Sequence, residues 1–270
     1  MSKTIIITGS TDGIGKLTAF SLAEKGHTVY VHGRNEAKVD TVVSEIKTKT
    51  NNQNIHSLVA DFSDLEAVSK LAEQIKKDIP KIDILINNAG IFKTKEVQNK
   101  NGLDIRMVVN YLAPYVLTNA ILENIKQSEV PRIINLSSAA QAPVSEAVLI
   151  GKKQQPENNT YAQSKLALTM WSFNLAKQEP KITVIAVNPG SLLNTKMANE
   201  AYGQHWSPAE KGVDILIDLA LSEAYKNDSG KYFDNDKGDP IGYFAPAHPD
   251  AYDENKTEKL LSITNQLLKE

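Results

Sequence analysis

Two residues in this chain have the types and spacing needed for proton transfer. Tyr161 and Lys165 stand four positions apart within residues 159–178, whose pattern predicts a helix, so the two side chains share one face. A tyrosine phenol ordinarily has a pKa of about 10, which is too high for a base at neutral pH. A lysine cation beside it favours the phenolate. The pair therefore predicts a general acid and base, although the same spacing also occurs on ordinary solvated helices.

A glycine-rich turn, residues 8–15, has the composition of a phosphate-binding loop. The β-branched run before it, residues 3–7, predicts a strand buried on both faces, and a helical apolar pattern follows it. Gly9 permits a sharp turn at the end of the strand. Gly13 lets the backbone approach a ligand closely, and Gly15 lets the helix pack closely on the sheet. Three such glycines also occur in ordinary turns, but the strand before and the helix after favour a pyrophosphate site.

Arg34 bears on which dinucleotide would bind. It follows a second predicted strand, residues 28–32, at the place where Asp or Glu would bind the ribose 2′-hydroxyl of NAD. No acidic residue stands there, and an arginine suits a 2′-phosphate, so Arg34 favours NADP(H) over NAD(H). A solvated arginine at a helix start is the alternative interpretation. Asp61 follows a third predicted strand, residues 55–60, where it could contact adenine or simply end the strand.

Polar residues also follow the later predicted strands. Residues 87–90, Asn-Asn-Ala-Gly, come after a strand at 82–86 and offer amide groups and room for a ribose. Asn110 lies among apolar residues of a helix predicted over 103–126, where a buried amide must be hydrogen-bonded or functional. A pair of serines ending at Ser138 follows the fifth strand, where either could also serve as a simple strand-end cap.

Composition excludes several classes of function. The 270 residues carry a formal net charge of −2, so the chain lacks the excess of positive charge that binds nucleic acid or an anionic membrane. With no cysteine, the chain has no disulfide, thiolate nucleophile or Cys-based metal site, and the five histidines lack ligand spacing, so no metal is expected. No signal peptide and no apolar run of about 18 residues is recognisable, which predicts a cytoplasmic protein.

The elements needed to position these residues alternate between strand and helix. The alternation predicts a single α/β domain over residues 1–270, with a doubly wound parallel sheet of about seven strands and helices on both faces. Two irregular stretches, 139–160 and 191–206, would shape the substrate pocket, the second as a mobile lid, and an amphipathic helical tail occupies 248–270. The predicted strands are residues 3–7, 28–32, 55–60, 82–86, 132–136, 182–187 and 230–233.

Three helix starts are marked by capping patterns. Asn35 predicts an N-cap for the second helix. Residues 63–66, Ser-Asp-Leu-Glu, have the form of a capping box with Ser63 as the N-cap. Ser207 and Pro208 predict a further start, with the serine as the cap and the proline as the first helical residue.

In their order along the chain, these motifs resemble those of the short-chain dehydrogenase/reductase family. The resemblance covers residues 3 to about 235. Residues 161–165, Tyr-Ala-Gln-Ser-Lys, the long segment 138–161 and residues 230–233 are similar to the branch that contains the retinol dehydrogenases and the WW-domain oxidoreductase. The membrane anchor of the retinol enzymes is not recognisable, so retinoid specificity is not implied. The motifs are Thr8-Gly-x-x-x-Gly-x-Gly15, Asn87-Asn-Ala-Gly90, Asn110, Ser138, Tyr161-x-x-x-Lys165 and Pro189-Gly190.

The resemblance implies a Rossmann fold. It also implies a catalytic set of Asn110, Ser138, Tyr161 and Lys165. In the family the tyrosine exchanges a proton with the substrate oxygen, the lysine holds the cofactor ribose, the serine hydrogen-bonds the substrate oxygen and the asparagine steadies a water relay. Thr195 matches the residue that anchors the nicotinamide amide. The implied cofactor-binding residues are Thr8, Gly9, Ser10, Thr11, Asp12, Gly13, Ile14, Gly15, Arg34, Asp61, Phe62, Asn88, Ala89, Gly90, Tyr161, Lys165, Pro189, Gly190 and Thr195.

Together these expectations predict an NADP(H)-dependent oxidoreductase that interconverts an alcohol and a carbonyl, acting as a carbonyl reductase on a small or apolar substrate. One alternative is a non-catalytic NADP(H)-binding redox sensor, although such proteins tend to lose the tyrosine or lysine kept here. An epimerase or dehydratase disagrees with the glycine spacing. Small molecules, and neither nucleic acid nor a membrane, are the expected partners. The helices around Asn110 and Tyr161 carry the apolar faces that the family uses for homodimers or homotetramers.

Overall fold

The computed structural model describes residues 2–238 and 240–269. Over these ranges the chain forms one sheet of eight strands, in the order β3-β2-β1-β4-β5-β6-β7-β8. All neighbouring pairs are parallel except the last, in which β8 runs antiparallel to β7. The strands are β1 (Thr4–Ile7), β2 (Thr28–Gly33), β3 (Ile55–Val59), β4 (Ile84–Asn87), β5 (Arg132–Leu136), β6 (Thr183–Asn188), β7 (Lys231–Asp234) and β8 (Tyr243–Phe244).

Helices cover both faces of this sheet. Alternate residues of β1 point into two separate apolar cores, Ile6 into one and Ile5 and Ile7 into the other. Such burial on both faces explains the β-branched composition of the central strands. The helices are α1 (Gly13–Glu24), α2 (Glu36–Thr50), α3 (Leu65–Asp78), α4 (Ile105–Met107), α5 (Ala113–Ala120), α6 (Leu122–Lys126), α7 (Glu146–Leu149), α8 (Glu157–Gln178), α9 (Lys196–Tyr202), α10 (Ala209–Leu221) and α11 (Glu254–Leu267).

The predicted α/β class and doubly wound sheet are confirmed. The strand β5 has the predicted limits, and the other predicted strands differ from the observed ones by one or two residues at either end. The two-residue strand β8 was not predicted. It is too short to show an alternating pattern, and it depends on packing of the Phe244 ring edge-on against Phe233, with centroids 5.2 Å apart.

The helix predicted over 103–126 is interrupted. Residues Val108–Leu112 form a π-helical turn in which Ala113 N donates to Val108 O, and the chain breaks again at Ile121. Pro114 supplies a physical reason, because it lacks the N–H that would bond to the carbonyl of Asn110 in a regular α-helix. The π turn therefore lies at the residue that the sequence singled out.

Two of the three predicted caps were misplaced by one residue. Asn35 does cap α2, accepting from Lys38 N. Asp64, rather than Ser63, caps α3 by accepting from Glu66 N, and the Ser63 hydroxyl donates to Asp61 instead. Helix α10 begins at Ala209, with Pro208 at the N-cap position and no side-chain cap.

The two stretches expected to be irregular contain short helices. Residues 139–160 include α7 and the first turn of α8, and 191–206 include α9. Thr195 caps α9 at one end, and Gly203, with a φ of 66°, ends it at the other. The helical tail was predicted at 248–270 and is found as α11, preceded by a short 3-10 turn.

Candidate active site

A crevice is expected where the strand order reverses, between β1 and β4, at the carboxyl ends of the strands. Gly90, Asn110 and Lys165 come together at this edge although they are far apart in sequence. A Cβ atom at Gly90 would lie 3.4 Å from both Asn110 Oδ1 and Lys165 Nζ. Glycine at this position therefore keeps open the space between the amide and the ammonium group.

Lys165 is buried on the inner face of α8. Its Nζ donates to Leu136 O at 2.7 Å, at the end of β5, and lies 5.6 Å from the centre of the Tyr161 ring. Burial lowers the pKa of Lys165 to about 8. The predicted pair thus shares one helix face, with the lysine held from behind by a backbone carbonyl.

The Tyr161 ring is half-buried and meets Phe92 edge-on, with ring centroids 5.0 Å apart. The backbone of Phe92 is held in turn, because Arg106 Nη1 donates to Phe92 O at 3.3 Å. Arg106 is buried and pairs with the equally buried Asp104 at 3.0 Å. The sequence prediction missed these three residues, whose only signal was a charged pair, Asp-x-Arg, inside an apolar segment.

Asn110 joins two elements beside the crevice. Its Oδ1 accepts from Ile91 N at 2.8 Å, while its Nδ2 donates to Ile91 O and to Ser164 Oγ, both at 3.0 Å. The π turn thus directs the amide to the loop after β4 on one side and to α8 on the other. These bonds account for a polar side chain within an apolar helical face.

The two serines after β5 have different surroundings. Ser137 is buried, and its hydroxyl bonds to Thr169 Oγ1 at 2.7 Å and to Lys165 O at 3.2 Å. Ser138 is half-buried, and its Oγ accepts from Ala140 N at 3.1 Å. The first hydroxyl is committed to the interior, so the second is the one that can reach a ligand.

Two glycines of the 8–15 turn are required by the protein itself. Gly9 has a φ of 63°, and a Cβ there would lie 2.7 Å from Ala89 Cα. A Cβ at Gly15 would lie 2.7 Å from Gly9 O and would also strike the amide of Asn88. That amide donates to Thr8 O at 2.8 Å and to Gly9 O at 2.9 Å, which ties the turn to the end of β4.

Gly13 is different, because a Cβ there would meet only ordinary van der Waals contacts. Its φ is 54°, and the nearest atoms to a Cβ there would be those of Thr195, at 3.8 Å. Thr195 Oγ1 accepts from Ala198 N at 3.3 Å as the cap of α9. The predicted pyrophosphate turn and the predicted nicotinamide anchor therefore lie side by side.

Three other predicted cofactor-binding side chains are directed inward. Thr8 Oγ1 accepts from Ala89 N at 3.0 Å, and Ser10 Oγ donates to Ile7 O at 2.7 Å. The Phe62 ring is buried. Any cofactor contact from Thr8, Ser10 or Phe62 must therefore come from the backbone.

Basic side chains lie beside the predicted adenosine end. Arg34 is exposed at the end of β2, and Lys38, one helical turn further on, pairs with Asp12 at 3.1 Å. Asp12 caps α1. Burial alone would raise the pKa of Asp12, but the Lys38 ammonium and the Gly13 N–H hold it below its ordinary value. Asp61 accepts from Ser63 N at 2.9 Å and so shapes the turn after β3.

The turn at Pro189 and Gly190 is held by residues that follow β7. Asn235 Nδ2 donates to Pro189 O at 2.9 Å, and Asp236 accepts from Ser191 N at 2.8 Å. Burial alone would raise the pKa of Asp236, but hydrogen bonds from Ser191 and Asn188 lower it. The sequence prediction did not include these contacts, because they depend on β6 and β7 lying side by side.

A family model described as short chain dehydrogenase matches residues 3–205. The chain belongs to the short-chain dehydrogenase family. Retinol dehydrogenase 12 of Mus musculus is 32% identical, over 87% of this chain and 78% of that protein. Retinol dehydrogenase 13 of Mus musculus is 31% identical, over 98% of this chain and 84% of that protein. The predicted family and its retinol dehydrogenase branch are thus confirmed.

A solved structure of another short-chain dehydrogenase, from Escherichia coli CFT073, was determined in complex with NADPH. It superposes with a TM-score of 0.72 at 26% identity, covering 86% of this chain and 95% of that one. The residues found here fit a nicotinamide dinucleotide of the kind this oxidoreductase family uses, since side chains at Gly13 and Gly90 would occupy the space beside Thr195 and the space between Asn110 and Lys165.

No cluster of three or more metal-ligating side chains occurs among the residues that the structure describes. None of the helices in the same ranges is long and apolar enough to cross a membrane.

Proposed function

We propose that this chain is an NADP(H)-dependent oxidoreductase that interconverts an alcohol and a carbonyl, with Tyr161 as the general acid and base. The observation that carries the proposal is that Lys165 Nζ and Asn110 Oδ1 meet at Gly90, with the Tyr161 ring 5.6 Å from the same ammonium group. This meeting point adjoins the glycine turn at the carboxyl edge of a parallel sheet, the usual position of a dinucleotide site.

Each part of the crevice would hold one part of the cofactor. The backbone of residues 11–14 and the N-terminus of α1 would receive the pyrophosphate. Arg34 would bind the 2′-phosphate, assisted by Lys38, which the sequence prediction missed. Lys165 would hold the nicotinamide ribose through its hydroxyls, and the turn at residues 189–190, with Thr195, would hold the nicotinamide. When bound, the cofactor supplies the hydride that reduces the carbonyl carbon.

The side chains around Tyr161 would take part in proton transfer. In the reducing direction the Tyr161 phenol donates its proton to the carbonyl oxygen, and the Lys165 cation stabilises the phenolate that remains. Ser138 Oγ donates a hydrogen bond to the same oxygen and orients it. Asn110 Oδ1 keeps a lone pair after bonding Ile91 N–H, so it can accept from a water molecule that relays protons to Lys165.

An apolar carbonyl compound is the substrate class that we favour. The buried Phe92 ring packs edge-on against Tyr161, so the surroundings of the proposed acid and base are apolar on this side. The similarity to retinol dehydrogenases, named for an apolar alcohol, supports the same choice. Residues 139–160 and 191–206 adjoin the site and would select among such molecules.

The test of catalysis is consumption of NADPH with a panel of aldehydes, ketones and quinones. We expect turnover by the wild type and a loss of at least about a hundredfold in kcat for Tyr161→Phe, which removes the transferable proton. Tyr243→Phe, at an exposed tyrosine on β8, is the matched control and should retain full activity. Tight NADPH binding without turnover of any substrate would instead support the redox-sensor alternative.

The test of cofactor choice is a comparison of NADPH and NADH binding. Arg34→Gln should raise the Kd for NADPH by about tenfold or more, because it removes charge-assisted bonds to the 2′-phosphate, and should leave the Kd for NADH nearly unchanged. Lys38→Gln should have a smaller effect in the same direction, since its ammonium is already paired with Asp12. Tighter wild-type binding of NADH than of NADPH would contradict the proposed preference.

A further inference from the structure

His32 lies in β2 as a buried ring that bridges the carboxyl ends of three strands. Gly9 N donates to His32 Nδ1 at 3.0 Å, in the turn after β1. His32 Nε2 lies 3.2 Å from Ala60 O, just beyond β3. The ring also packs against Phe62, with centroids 4.3 Å apart. The catalytic scheme above does not use this histidine.

The two partners require the same tautomer of His32. The Gly9 N–H can only donate, so Nδ1 must be the unprotonated nitrogen. The Ala60 carbonyl can only accept, so Nε2 must carry the hydrogen. Burial lowers the pKa of His32 to about 4, which keeps the ring neutral and both bonds intact at physiological pH.

The backbone of His32 holds the same turn. Ser10 N donates to His32 O at 2.9 Å, and His32 N donates to Ser10 Oγ at 2.9 Å. Gly9, with its φ of 63°, is free to adopt many other conformations in an unrestrained chain, so its orientation depends on such bonds. A turn ordered before the ligand arrives loses less conformational entropy on binding.

We propose that His32 is a positioning residue for the dinucleotide site, one that holds the first glycine of the pyrophosphate turn in place before the cofactor binds, while its bond to Ala60 O fixes the tautomer that Gly9 N–H requires. The proposal rests on the proposed function, because it assumes that this crevice binds a dinucleotide. The anchored glycine lies where the pyrophosphate would bind, a part that NADPH and NADH share. Loss of the bridge should therefore weaken both cofactors equally, unlike the change at Arg34.

The test uses three variants of the intact chain. His32→Asn places an amide oxygen near the position of Nδ1, where it can accept from Gly9 N–H but cannot reach Ala60. His32→Gln reaches toward Ala60 O with its amide NH2 group but leaves Gly9 N–H unpaired. His32→Leu makes neither bond. The matched control is His56→Leu, on the neighbouring strand, where an exposed ring stacks on Tyr30.

Binding of NADPH and NADH is measured by the fluorescence of the reduced nicotinamide, and stability by thermal unfolding. We expect His32→Asn to bind within about threefold of the wild type, and His32→Gln and His32→Leu to bind both cofactors about five- to twentyfold more weakly. The ratio of the two Kd values should not change. The Asn and Gln variants each lose one hydrogen bond, so we expect similar melting temperatures for the two. A difference in cofactor binding between them would then reflect positioning and not general destabilisation. This comparison tests the proposal even if His32→Leu does not fold.

The proposal is overturned if His32→Gln binds as tightly as the wild type, or if the Asn and Gln variants weaken equally. A wild type that binds neither cofactor overturns the proposed function together with this proposal. Wild-type binding with an unaffected Gln variant overturns this proposal alone.

Discussion

Among the proposed catalytic residues, Lys165 carries an electrostatic cost that can be measured. Burial lowers its folded-state pKa to about 8, below the ordinary value of 10.5. Between these pH values the unfolded chain binds a proton that the folded chain does not, so stability rises with pH across that window. Below pH 8 the cost of the buried cation is present in full.

We expect Lys165→Met to stabilise the free protein at pH 7 by about 1–2 kcal/mol, even after loss of the bond to Leu136 O, and to abolish turnover. The gain should shrink as the pH rises above about 8. Urea unfolding at pH 7 and at pH 9.5 measures it. A variant less stable than the wild type at pH 7 would show that the bond to Leu136 O outweighs the cost of burying the ammonium group.

The serines after β5 offer a comparison of neighbouring residues. Ser137→Ala removes buried hydrogen bonds to Thr169 and Lys165 and should lower the free energy of unfolding by about 1–3 kcal/mol. Ser138→Ala should change stability by less than about 0.5 kcal/mol and reduce kcat/KM by about a hundredfold, because its hydroxyl is proposed to orient the substrate. Denaturation curves and steady-state rates on both variants check this. The reverse pattern would move the proposed role to Ser137.

At the same scale, the sequence indicated which residues would gather but not what each would touch. Parallel strands bring their carboxyl ends to one edge, so the placement of Gly90 followed from the strand order. The roles of Asn110 and Lys165, which lie on helical segments, were implied by the family resemblance. The inward bonds of Thr8 and Ser10 could not be predicted, because they depend on neighbours that are distant in sequence.

At the scale of elements, the loop after β4 is held in place by a buried ion pair. Arg106 binds Asp104 and the carbonyl of Phe92, whose ring lies against Tyr161. Arg106→Met would leave Asp104 buried without its partner and should cost about 3–5 kcal/mol of stability. Combining it with Asp104→Asn should restore much of that loss, since the amide oxygen can still cap the backbone at residue 106.

Activity should not recover in the double variant, because the Phe92 carbonyl still lacks its donor. Unfolding free energies and kcat for the two single variants and the double variant give a complete cycle. Recovery of both stability and kcat would mean that the pair serves the fold alone.

Element types were predictable wherever the pattern was long and local. Strand β5 was predicted with its observed limits because its five residues form an uninterrupted strand pattern, and the residues on either side do not continue that pattern. The π turn was missed because periodicity does not distinguish a local widening from a regular helix, although Pro114 was a visible sign of it. The caps at Asp64 and Pro208 were misplaced because adjacent polar residues offer competing caps whose choice is made by tertiary packing.

At the scale of the whole molecule, the tail covers a helical surface that was expected to serve assembly. In α11, Thr264 Oγ1 bonds to Tyr111 Oη at 2.8 Å, Asn265 accepts from Tyr115, and Leu260 is buried. Lys259 pairs with Glu146 at 3.1 Å, which also links the tail to the 139–160 segment. Because α11 occupies this surface, a second copy cannot pack there while the tail is docked.

We therefore expect the intact chain to be monomeric in solution. Leu260→Glu would put an unpaired charge into the buried side of α11 and should release the tail, exposing the helices beneath and causing self-association. Ser262→Glu, at an exposed position of the same helix, is the matched control. Size-exclusion chromatography with light scattering measures both. A dimeric wild type whose mass is unaffected by Leu260→Glu would place the interface elsewhere.

The position of β1 between β2 and β4 also has a consequence for biosynthesis. Strand β1 leaves the ribosome before both of its hydrogen-bonded neighbours, and one of them, β4, is completed only roughly 80 residues later. At ~5–20 residues per second, translation of that interval takes roughly 4–16 s. Throughout it the apolar run Ile5–Ile7 has an unpaired edge, which is the kind of segment that chaperones bind and that aggregates when they are scarce. The strand that later supports the glycine turn is thus a part of the nascent chain that needs protection during synthesis.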